Sequence, residues 1–84
     1  MRLRADGLTW QEVDGELVLL DLNTSKYLTT NAAGTLLAQT LADGATEDQL
    51  VGALVDAYGI DESVARADTA SFLADLRDQD LLRD

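Results

Sequence analysis

The sequence predicts an α+β domain, a three-stranded antiparallel sheet followed by three helices, and two observations carry that expectation. The run from Glu16 to Asn31 (ELVLLDLNTSKYLTTN) reads as a hairpin that hands over directly to a helix. Upstream of it the composition is that of a strand, whereas downstream the apolar residues recur at helical spacing.

The first strand is Leu8 to Val13, with imperfect alternation, and Asp14-Gly15 follows it. Asp-Gly between two apolar runs is the strongest short-range hairpin signal, because both turn residues must tolerate positive φ. Leu17 to Asp21 forms the second strand, Asn23-Thr24-Ser25 is turn chemistry, and Lys26 to Thr30 forms the third strand. The first helix is expected from Ala32 to Ala42, N-capped by Asn31 or Thr30, with Leu36, Leu37 and Leu41 on its buried side. Asp43-Gly44 ends it. Thr46 with Gln49 fits a capping box, and Glu47 and Asp48 suit the positive end of the helix dipole. The second helix buries Leu50, Leu54, Val55 and Tyr58 before Gly59 stops it, and Asp61 caps a third helix reaching about Gln79. Leu81 and Leu82 are expected to fold back onto the body. The two short helices joined through Asp43-Gly44-Ala45 permit a winged helix-turn-helix-like topology.

Composition narrows the function. At 84 residues and with 46% apolar residues, the chain is expected to form one domain over residues 1–84, small but able to build a core. It has no cysteine, hence no disulfide, thiolate nucleophile or zinc-thiolate site, and no histidine, the commonest general base and metal ligand. No cofactor is implied. Carboxylates are plentiful, but the trio Asp78, Asp80 and Asp84 lacks the alternating ligands and turn glycine of a calcium loop. With no catalytic constellation, an enzyme is not expected. No apolar run is long enough to span a bilayer, and Met1 to Gly7 lacks a signal-peptide core, so the expected location is the cytoplasm without a membrane partner. Sixteen acidic against six basic residues give a net charge of −10, which repels phosphate backbones and excludes nucleic acid as a natural partner. Such a surface either confers solubility alone or steers a basic partner segment.

Two features point to binding. The second strand is apolar on both sides, Leu17 and Leu19 facing one way and Val18 and Leu20 the other. Helices must therefore cover both faces, or one face is left for a partner. The third strand is a sheet edge guarded only by Lys26, suited to capturing an extended peptide by strand addition. On the third helix, Ala65, Thr69, Phe72, Leu73 and Leu76 share a core arc, and Val64, Asp68, Ser71 and Asp75 form a stripe beside it. That stripe is either a solvated boundary or a groove wall whose carboxylates meet a Lys or Arg of a peptide. Tyr27 is expected to turn its ring toward the core with the hydroxyl at the rim, and Trp10 to anchor the sheet.

The run LVLLDLNTSKYLTTNAAG, then Gly44, Thr46, Leu50, Leu54 and Tyr58, then Asp68, Phe72, Leu73, Leu76 and Leu81-Leu82, resembles the PqqD-like proteins. These are leader-recognition elements of pathways that make ribosomal, post-translationally modified peptides. The likeness covers nearly the whole chain, with Asp80-Leu81-Leu82 departing from the family's Gly-Leu-Leu ending. A stand-alone chain of this size and acidity is most similar to the recognition protein of lasso-peptide biosynthesis. The resemblance implies that the precursor leader peptide adds as a strand to the third strand, against the third helix. It further implies delivery of the precursor to a separate leader peptidase and to an ATP-dependent macrolactam cyclase. Carried onto this chain, Lys26, Tyr27, Leu28, Thr29 and Thr30 pair with or flank the leader, and Val64, Asp68, Ser71, Phe72 and Asp75 line its groove.

Two other classes are weaker. An acyl-carrier-like protein needs its phosphopantetheine serine in Asp-Ser-Leu. Asp61-Glu62-Ser63-Val64 inserts a Glu there, and strands stand where a carrier has a helix. A winged-helix DNA binder would present Asp61 to Gln79, whose Arg66 and Arg77 are outnumbered by Asp61, Glu62, Asp68, Asp75 and Asp78.

Overall fold

The structure is a computed structural model and describes residues 1–83. The described residues form β1 (Arg2–Leu3), β2 (Leu8–Val13), β3 (Glu16–Asp21), β4 (Lys26–Thr30), α1 (Ala32–Ala42), α2 (Glu47–Tyr58), α3 (Glu62–Asp78) and β5 (Leu82–Arg83). The expected three-stranded sheet is the antiparallel meander β2-β3-β4, and the three expected helices follow it. The strands stand where the carrier reading needs a helix. Asp84, third of the carboxylate trio, lies outside the described residues.

The turns have the predicted chemistry. Asp14 and Gly15 both adopt positive φ, 54° and 81°, as a two-residue hairpin demands. Between β3 and β4 the Asp21 carboxylate accepts from the Asn23 N–H at 2.9 Å, and Ser25 takes φ 61°. Asn31 caps α1 by accepting the Gly34 N–H at 2.9 Å. Thr46 and Gln49 form the reciprocal capping box, at 2.9 and 3.2 Å. Asp61 occupies the N-cap position of α3, but its side chain makes no capping hydrogen bond, so its contribution is limited to charge near the helix start.

Register fixes the two faces of the sheet. Leu17, Leu19 and Asp21 are buried on the face that also carries Leu28 and Thr30, and α1 packs against β3 and β4 there. Among the described residues no helix covers the opposite face: Val18 and Leu20 are half-buried, and Val13 and Tyr27 are exposed. Leu19, Leu37, Leu41, Leu50, Leu54, Leu73, Leu76 and Leu81 are essentially inaccessible, each stabilising the fold by roughly 1.5–3 kcal/mol through burial. Several expected core positions differ. Leu36, Val55 and Phe72 are only half-buried, and Tyr58, at the end of α2, is 48% exposed while Val51 takes a buried place in that helix.

A second, two-stranded sheet was not legible in the sequence. β1 pairs antiparallel with β5, Leu3 opposite Leu82, which gives the expected fold-back of Leu81 and Leu82 a specific form. Arg4 follows β1 and is almost fully buried. Its N–H donates to the Leu81 carbonyl at 2.8 Å, its Nη1 to the Asp80 carbonyl at 3.2 Å, and its Nη2 lies 2.7 Å from Asp21 Oδ1. The guanidinium beside it holds the Asp21 carboxyl below the usual carboxylate range, against the opposing effect of burial. One arginine thus ties the N-terminus, the end of β3 and the C-terminal turn together.

Candidate functional site

β4 pairs with β3 on one side only, so among the described residues its other edge has no strand partner. Beside that edge runs a groove of about 290 Å³. Its lining comes from Leu28, Thr29 and Thr30 of β4, Asn31, Ala33, Gly34 and Leu37 around the start of α1, and Asp68, Ser71, Phe72 and Asp75 of α3. An open strand edge and a half-apolar groove are thus contiguous, which is the arrangement strand addition uses. Backbone groups supply pairing, and the groove takes alternate side chains.

The floor is built by close packing. The Thr30 hydroxyl is buried, 3.2 Å from Thr35 Oγ1 and 3.1 Å from the Asn31 carbonyl, which also accepts from the Thr35 hydroxyl at 3.0 Å. Gly34 lies against this cluster. A Cβ built on it would sit 2.7 Å from Thr30 Cβ and 3.3 Å from Phe72 Cε1. Only a glycine lets α1, β4 and the Phe72 ring meet this closely. Leu28 and Phe72 are half-buried against the core and present their remaining surface to the groove.

The rim is acidic. Asp68 and Asp75 are exposed on α3, and among the described residues neither is ion-paired. The arginines of α3 are engaged elsewhere: Arg66 with Asp48 at 3.2 Å and Glu62 at 3.3 Å, and Arg77 with the Met1 sulfur at 3.8 Å.

Of the residues singled out from sequence, Leu28, Thr29, Thr30, Asp68, Ser71, Phe72 and Asp75 come together on this groove. Val64, Lys26 and Tyr27 do not line it. Val64 is 48% exposed on α3, and Lys26 and Tyr27 lie toward the far end of β4. The expectation that the Tyr27 ring turns inward is corrected: register with Leu20 puts it on the open sheet face, 68% exposed. Trp10 is 41% exposed and lines a separate groove of about 250 Å³ with Leu3, Arg4, Ala5, Leu8 and Ala42. Sequence reasoning missed Asn31, Ala33, Gly34 and Leu37 as lining. The readable signal was Gly34, since a glycine in the first turn of a helix sacrifices helix propensity and calls for a packing reason.

The fold and groove define a class: a small α+β module with a free sheet edge set beside a helix. The model of the family described as coenzyme PQQ synthesis protein D (PqqD) matches residues 16–82, and the chain belongs to that family. Two solved structures are similar over almost the whole chain. TbiB1 in complex with the TbiA(beta) leader peptide shares 29% identity at a TM-score of 0.87, covering 99% of this chain and 95% of that one. Lasso peptide synthetase B1 complexed with the leader peptide shares 25% identity at a TM-score of 0.83, covering 99% of this chain and 96% of that one. Among curated protein sequences none matches the chain. No helix among the described residues is long and apolar enough to cross a membrane.

Proposed function

We propose that this protein is a non-catalytic recognition module, one domain over residues 1–84, that binds the leader segment of a ribosomally made precursor peptide in lasso-peptide biosynthesis. The leader adds as a strand to the free edge of β4, with backbone pairing along Lys26 to Thr30 and side chains entering the groove against Phe72, Asp68, Ser71 and Asp75. Val64 flanks the α3 end of the ligand. The bound precursor is handed to a separate leader peptidase and to the ATP-dependent cyclase. The observation that carries this reading is the open β4 edge running into the groove, in a chain so similar to two proteins whose structures hold leader peptides.

Pairing of a short strand together with two or three apolar anchors corresponds to a Kd of about 0.1–1 μM, roughly −8 to −10 kcal/mol. Calorimetric titration with the TbiA(beta) leader peptide tests it. One-to-one binding that is weakened at least tenfold by Leu28→Arg, with the fold intact, supports the site. Equal affinity in well-folded L28R and wild-type protein removes the site from β4.

A further inference from the structure

Resting on that reading, we infer that the groove is a charge-selective subsite: it takes an extended peptide carrying a Lys or Arg two residues from the apolar side chain that packs on Phe72. The lining holds two carboxylates, Asp68 and Asp75, on either side of Phe72 along α3, with the Ser71 hydroxyl between them. Among the described residues no cation is ion-paired with either of them. Arg4 is committed to Asp21, Arg66 to the start of α2, and Arg83 to Asp80. Arg77 contacts the Met1 sulfur, Arg2 sits in β1 near Gly44, and Lys26 stands at the opposite end of β4 from the groove.

Spacing makes the selection positional. At roughly 1.5 Å per residue, the helix rises about 6 Å from Asp68 to Phe72 and about 4.5 Å from Phe72 to Asp75. In an added strand, side chains on one face repeat about every 6.8 Å. Where the added strand runs along α3, an apolar residue seated on Leu28 and Phe72 brings a same-face neighbour near one carboxylate or the other, within reach of a long cationic side chain. An acidic residue at that position meets two unpaired carboxylates and a chain of net charge −10. Because both carboxylates are exposed, the preference acts through screened charges and falls with salt.

The test uses a scan of the TbiA(beta) leader peptide in which each residue in turn becomes Lys or Glu, titrated into the full chain and into an Asp68→Asn, Asp75→Asn double variant. Both substitutions are at exposed sites, and thermal melting checks that the fold is kept. At about 0.02 M salt the wild-type protein should favour Lys over Glu about 3- to 10-fold, most strongly two residues from an apolar position. The preference should shrink in the double variant and in about 0.5 M salt. A Lys-over-Glu preference that is equal in the double variant, or absent at every position, overturns the inference while leaving leader binding intact. Absence of binding by every peptide, the parent leader included, overturns the underlying reading instead.

Discussion

Gly34→Ala is the most discriminating change to the groove floor, because two opposing effects of known size meet there. In the first turn of a helix, alanine in place of glycine gains up to about 1 kcal/mol of backbone propensity. Against this, the new Cβ falls 2.7 Å from Thr30 Cβ and 3.2 Å from Thr30 Oγ1. Carbon atoms pack best at roughly 3.5–4.0 Å, so the overlap is close to an ångström. Thr30 Cβ is fixed to the backbone of β4, and its hydroxyl is held by Thr35 and the Asn31 carbonyl. Relief therefore requires moving the strand rather than rotating a side chain. Overpacking of this kind typically costs 1–3 kcal/mol. The expected net loss is about 1–2 kcal/mol, or a fall of roughly 5–15 °C in melting temperature for a domain of this size.

Gly52→Ala supplies the internal comparison. Gly52 lies inside α2, and nothing comes within 4 Å of the position its Cβ would take. Here the propensity gain is unopposed, so stability should rise by about 0.5–1 kcal/mol. Far-UV circular dichroism melts of the two variants should therefore move in opposite directions. Titration with the TbiA(beta) leader peptide should show weakened binding for G34A and unchanged binding for G52A. A G34A protein melting at or above wild type would refute the argument, since it would mean that β4 and Phe72 have slack at the floor of the groove.

Two further outcomes follow from polar groups away from the groove. Thr69 is fully buried in α3 and among the described residues its hydroxyl has no hydrogen-bond partner; Thr69→Val keeps the shape and removes the orphan group, so it should raise stability by about 1 kcal/mol, read as a higher melting temperature. Asp21→Asn should lower the melting temperature, because it leaves the buried Arg4 guanidinium without its counter-charge. The folded-state pKa of Asp21 is depressed, so the stability it contributes is complete above the ordinary carboxylate pKa and is lost as pH falls through the lower folded value. Melts of the wild-type protein should therefore drop as the pH falls below about 4, and those of D21N should drop less over the same range. Parallel acid limbs would count against that role.

Local signals carried most of the fold. The Asp14-Gly15 turn, the Asn31 cap and the Thr46–Gln49 capping box are each decided within a few residues, and each forms as the sequence implies. What was hidden depends on distant partners. Neither Arg2–Leu3 nor Leu82–Arg83 carries a strand signal alone, because a two-residue strand is specified by its partner and not by its own periodicity. Arg4 reads as an ordinary surface charge until the ends of the chain meet around Asp21. For the groove, the wheel geometry of α3 set Val64, Asp68, Ser71 and Asp75 apart from the core arc; the last three line the groove, whereas Val64 lies toward the N-terminal end of the helix and off the lining, and Phe72, which the wheel put on the core arc, lines it as the resemblance implied. Tyr27 was misjudged because an aromatic residue in a strand can serve either face, and only the register with Leu20 decides which.

The distant contacts also bear on how the groove holds its shape. One wall is β4, fastened to β3 by the sheet and to α1 through Thr30, Thr35 and Gly34. The other wall is α3, a helix with a solvated outer face that would be free to splay if it were held only by its core leucines. It is fixed near both ends: Arg66 joins it to Glu47 and Asp48 of α2, and beyond its last turn Leu81 and β5 are stitched to β1 and Arg4. The spacing of the walls is therefore set in part by residues away from the groove lining. On the proposed reading, a peptide entering between them would meet walls held by contacts outside the groove, so less of its binding energy would be spent on arranging the protein. On this argument the β1–β5 sheet braces α3, and loosening it should weaken peptide binding in the groove.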